Sequence, residues 1–143
     1  MTLEEIAALP VPELLTEDAI VWLWTTTRFL GEAIMMAAQS WGLAKRNVLT
    51  WDKERVGNGH WLLGQTEHCL LLTRGEPLFE QGNATTLIRE RSREHSRKPE
   101  AFYELVVNTC PRPKLEMFAR ERRSGFEPWG AEVDYFPGSE EPS

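Results

Sequence analysis

The stretch IVWLWTTT, residues 20–27, decides the fold. It is short, apolar, β-branched and aromatic, with no polar alternation before its end. Such a run predicts a strand covered on both faces, as in a parallel sheet. RFLGEAIMMAAQSWG, residues 28–42, follows at once. Its apolar residues recur at helical spacing, and Gly42 suits the residue just past a helix end. A buried strand running into a helix predicts an α/β sheet with helices packed on its faces.

The rest of the chain extends that pattern. KRNVLTWDK (45–53) and EHCLLLTRG (67–75) read as strands, with a glycine-punctuated loop, ERVGNGHWLLGQT (54–66), between them. TLIRERS (86–92) is a short strand, PEAFYELVVNTC (99–110) a helix and KLEMFAR (114–120) a last strand. Upstream, TLEEIAAL (2–9) is a helix with Thr2 and Glu5 spaced as a capping box. PVPELLTEDA (10–19) reads as a turn-rich connection, and the acidic tail 137–143 as disordered, leaving one domain over 1–136. Ligands of open α/β sheets lie beyond the carboxyl ends of strands. Here those ends include Thr25–Thr27 and Arg120–Arg123.

The chain has 143 residues, 41% hydrophobic and 27% charged, which suits one domain with a core. No apolar run approaches the roughly 20 residues of a membrane span, and no charged-then-apolar leader opens the chain. A cytoplasmic protein with no membrane partner is expected. Cys69 and Cys110 lie in apolar contexts and read as buried thiols; no His and Cys spacing suggests a metal site. The net charge is −6, unevenly spread. Residues 1–88 carry 6 Lys+Arg against 11 Asp+Glu, whereas 89–98 and 112–123 each carry five basic and two acidic side chains. Charge alone leaves open a local anion site and a merely solvated face.

Three segments carry candidate chemistry. In HSRKPEAFYELV (95–106), Pro99 suits the first helical turn, and Lys98 before it has no side-chain acceptor to cap the helix. The first amides are therefore expected without a protein partner, in a basic setting that favours an anion. In the 54–66 loop, Trp61 could stack on a base or fold onto the core, and His60 and His68 could titrate near neutrality. Glu67 opens a strand, which favours a supporting role. RSGFEPWGAEVD (123–134) holds Phe126 and Trp129 around a turn. No phosphate-binding glycine loop, dinucleotide fingerprint or nucleophile elbow occurs.

Seven pieces, in this order, resemble the MTA-70 (MT-A70-like) family of adenine-N6 methyltransferases. They are MTLEEIAALPV, VWLWTTTRFLGEAIMMAAQSWG, WDK, GHWLLGQTEHCLLLTRG, REHSRKPEAFYELV, KLEMFAR and PWGAEV. The resemblance implies a Rossmann-like sheet and S-adenosyl-L-methionine as methyl donor. It implies DNA, or less readily RNA, as the polymer. By the same resemblance Lys98, with Arg97 beside it, would meet the methionine carboxylate. Phe118, Arg120 and Arg122 would lie by the cofactor, and His60, Trp61 and Gln65 by the target nucleotide.

Two departures qualify this. The family's Asp-Pro-Pro-Trp signature is not in the sequence, which has no Pro-Pro step, so no catalytic residue is assigned. The closing Trp-Gly-Asn-Glu reads WGAE here, with Ala131 in place of the Asn that would bond the ribose. The resemblance implies a shortened member whose central strand, between 20–27 and 114–120, is missing. Either those two strands pair directly, a second chain fills the gap, or the sequence is a fragment. The expected function is methyl transfer, inactive or weak in the isolated chain. The alternative is a non-catalytic nucleic-acid-binding or partner subunit.

Overall fold

A computed structural model describes residues 2–93, 97–111 and 115–119, the last for their backbone only. Five strands form one mixed sheet in the order β4-β2-β3-β1-β5. They are β1 (Ala19–Thr25), β2 (Ala44–Asp52), β3 (Thr66–Arg74), β4 (Leu87–Arg89) and β5 (Leu115–Ala119). Four helices accompany them: α1 (Leu3–Ala7), α2 (Val11–Leu14), α3 (Leu30–Ser40) and α4 (Glu100–Thr109). A 3₁₀ turn over Thr27–Phe29 joins β1 to α3.

Strand β1 is buried from Ile20 to Thr25, as its apolar run requires. Alternate side chains enter two cores. Val21 and Leu23 join Leu70, Leu72, Ala33, Met36 and Ala37 under α3. Ile20, Trp22 and Trp24 join Trp51, Leu71, Phe102 and Val106 under α4. Helices thus cover both faces, the expected α/β layering. The pairing is mixed rather than parallel throughout: β1 runs antiparallel to β3 and parallel to β5.

The expected gap between β1 and β5 is closed. The two strands pair directly, from Val21 with Leu115 to Thr25 with Ala119. Strands β2 and β3 form a long antiparallel hairpin, and β4 pairs parallel with β2.

Local signals fixed several boundaries. The Thr2–Glu5 capping box is made in both directions, at 3.1 and 2.8 Å. Gly42 adopts φ +67° just past α3, the left-handed turn that glycine makes at least cost. One connection departs from expectation: residues 11–14 form the short helix α2, with a proline in its first turn. Both cysteines are buried. The tail 137–143, Ala131 and Arg120–Arg123 lie outside the described residues.

Candidate functional site

The parallel pair β1–β5 ends at Thr25 and Ala119, and antiparallel β3 begins at the same edge. Side chains from β3 and from the start of α4 meet there. Lys98 directs its Nζ to Glu67 Oε1 at 3.0 Å, and its side chain is only 1% exposed. The same ammonium lies 5.1 Å above the Trp24 ring centroid, within cation–π range. Lys53 approaches the other oxygen of Glu67 at 3.5 Å. The carboxylate of Glu67 therefore sits between two cations, in the supporting role its strand position suggested.

The start of α4 overturns the expectation of partnerless amides. Glu90, just beyond β4, accepts hydrogen bonds from the amides of Glu100 and Ala101, both at 3.0 Å. Its own carbonyl accepts from Trp51 Nε1 at 2.8 Å. A carboxylate here answers the positive end of the helix and the unpaired amides together. Pro99 is the N-cap rather than the first helical residue, with ψ 148°. Arg93 secures the turn by bonding the Lys98 carbonyl at 2.9 Å and approaching Glu100 at 3.6 Å.

On the opposite face of the sheet, His68 Nδ1 lies 3.1 Å from Thr50 Oγ1. Burial pushes the imidazole below its ordinary pKa, and neighbouring Glu67 pulls weakly the other way. The shift favours the neutral ring, with the Thr50 hydroxyl beside it.

The hairpin loop stands away from this cluster. Gln65 donates to Asp52 Oδ1 at 3.0 Å, and Lys53 N bonds the Gln65 carbonyl at 2.9 Å. The Gln65 bond and the Glu54 amide hold the Asp52 carboxyl below its ordinary pKa. Trp61 is 98% exposed, so the reading that folds it onto the core is excluded. His60 is exposed beside it.

The residues named from sequence thus fall into three groups. Lys98 is buried at the strand edge, and Arg97 next to it is exposed. His60, Trp61 and Gln65 share the hairpin loop, but Gln65 braces its neck while Trp61 faces water. Phe118 belongs to β5, paired with Trp24 by backbone; its side chain, with Arg120 and Arg122, is outside the described residues. Sequence reasoning missed Glu90. Ile88 is buried in the α4-side core, so two residues on the chain turns the same way.

A methionine carboxylate would need open donors at this edge. In this arrangement the described residues do not fit one. Glu67 engages the Lys98 ammonium, and Glu90 takes the first amides of α4. A cleft of about 430 Å³ between residues 80–84 and α4 contains none of the residues named from sequence. No described helix is long and apolar enough to cross a membrane.

Comparison with known proteins gives a consistent match. The type II methyltransferase M.MunI of Mycoplasma sp is 31% identical over 137 residues, covering 93% of this chain and 58% of that protein. The N(6)-adenosine-methyltransferase catalytic subunit METTL3 of Homo sapiens is 32% identical over 130 residues, covering 84% and 22%. The chain therefore spans less than two thirds of the length of these relatives. Among solved structures, the M1.HpyAVI-SAM complex superposes with a TM-score of 0.62 at 17% identity, covering 82% of this chain and 63% of that one. That likeness concerns the fold. The MT-A70 family model matches residues 1–132, and the chain belongs to the MT-A70 family.

Proposed function

We propose that the chain belongs to an S-adenosyl-L-methionine-dependent adenine-N6 methyltransferase acting on DNA. Family membership and the names of the relatives support the reaction class. The observation that carries the reading is the meeting of Lys98, Glu67 and the hairpin root at the carboxyl edge of β1. That edge is where an α/β sheet takes its ligand. Lys98 with Arg97, and Phe118, Arg120 and Arg122, make up the proposed cofactor side. His60, Trp61 and Gln65 make up the proposed polymer side. When bound, the cofactor supplies an electrophilic methyl group for the adenine amine.

The isolated chain is proposed to be weak or inactive. Glu67 engages the Lys98 ammonium and Glu90 takes the first amides of α4, the donors that a cofactor carboxylate is proposed to meet. The same observation supports a second reading, a non-catalytic nucleic-acid-binding or partner subunit. A second chain supplying the missing strand would have to displace β5 from its place beside β1.

The test combines two assays on this chain. Radiolabelled methyl transfer to DNA and RNA is expected near background, while DNA binding is expected and should weaken steeply with salt. Robust transfer eliminates the subunit reading. Absence of binding to either polymer at low salt overturns both readings.

A further inference from the structure

We propose that the hairpin tip Trp61–Leu62–Leu63 is a wedge that enters the base stack of a DNA duplex beside the adenine to be methylated. The proposal rests on the nucleic-acid reading above and adds how the duplex is opened.

Three consecutive apolar side chains stand in water at this tip: Trp61 is 98% exposed, Leu62 86% and Leu63 65%. Burying side chains of this size is favourable, so a contiguous exposed set marks an interaction surface. The loop is pinned in shape. Gly57 N bonds the Gly64 carbonyl at 2.6 Å, and Gly64 N bonds the Asn58 carbonyl at 3.1 Å. A Cβ at Gly59 would run into the Leu62 carbonyl, so the turn needs glycine there. The tip is thus presented with little ordering left to do on binding.

The chemistry at the root selects the occupant. Arg55 Nη2 bonds the Ser92 carbonyl at 3.0 Å, and Arg91 Nη1 bonds the Glu54 carbonyl at 2.9 Å. Among the described residues neither guanidinium has a carboxylate partner, so backbone carbonyls orient these charges without neutralising them. Oriented guanidinium groups suit phosphates. An apolar point with cations behind it is the arrangement that unstacks a duplex while holding its backbone. Lys53 ties the root to Glu67, so the wedge rises from the edge assigned to the target base. Insertion offsets part of the cost of unstacking and extruding that base.

The test is fluorescence of a short DNA duplex carrying 2-aminopurine opposite a mismatched base, titrated with the full chain. The wild type is expected to raise the emission several-fold. Trp61→Ala is expected to abolish the rise and weaken duplex affinity about tenfold, while the salt dependence of binding stays unchanged. Trp61→Phe should restore part of the rise, and far-ultraviolet circular dichroism checks that each variant folds. An equal rise in Trp61→Ala, or no rise despite salt-dependent duplex binding, overturns the wedge and leaves the nucleic-acid reading standing. Trp61-dependent binding to phosphatidylglycerol vesicles, with duplex binding indifferent to Trp61, assigns the tip to a membrane surface and overturns the wedge. Failure of the wild type to bind duplex or single strand overturns both.

Discussion

The start of α4 and the tip of the β2–β3 hairpin are both richly functional by sequence, yet they are built in opposite ways. At the helix start, the buried ammonium and the first amides are answered from within the chain. Lys98 is buried against Glu67, and the first amides of α4 are met by Glu90. At the hairpin tip, Trp61, Leu62 and Leu63 meet only water, and Arg55 and Arg91 lean on backbone carbonyls. One region holds folding energy; the other leaves apolar surface uncovered. Within one small domain, basic residues close to each other in sequence can therefore serve opposite ends.

The largest expected effect breaks the closed region. Glu67→Leu removes the carboxylate bonded to the buried Lys98 ammonium and should cost about 3–5 kcal/mol in urea unfolding. Adding Lys98→Met should restore most of that loss, since a packed apolar pair replaces a buried ionic one. A single variant as stable as the wild type would mean that Lys98 is not buried as a charge.

Glu90→Ala comes next. It removes the acceptor at the α4 start and should cost about 1 kcal/mol, with Glu90→Gln recovering part. Hydrogen exchange of the Glu100 and Ala101 amides should quicken in Glu90→Ala.

A smaller effect concerns pH. His68 has a lowered pKa in the fold, so the unfolded chain binds more protons below the ordinary histidine value of 6.5. The stabilisation is complete above that value and falls as pH drops below it. His68→Gln should flatten the stability profile between about pH 7 and 5. The smallest stability change belongs to the open region: Trp61→Ala should stay within about 0.5 kcal/mol of wild type. A large loss there would mean that the tip packs on something and the contrast fails.

Much of the fold was legible because local and global signals agreed. The run 20–27 is buried on both faces, Gly42 ends α3, and Thr2 with Glu5 caps α1. The mixed pairing of β1 was not legible, since burial on both faces is indifferent to strand direction. α2 was hidden by two prolines that suit a turn as readily as a helix start. At the site, Lys98 was singled out, but its partners were not. Glu67 lies 31 residues away along the chain and Glu90 meets amides 10 and 11 residues on. Charge counts along the sequence cannot say which acid answers which base. The exposure of Trp61 was likewise open, because an aromatic in a glycine-rich loop can fold inward or outward at similar cost.

The central claim is that this chain fills its own anion positions at α4. Calorimetric titration of S-adenosyl-L-methionine into the isolated chain tests it most directly. The account predicts no saturable binding below millimolar concentration. A dissociation constant in the low micromolar range would contradict it, because Glu67 and Glu90 would then have yielded to the cofactor.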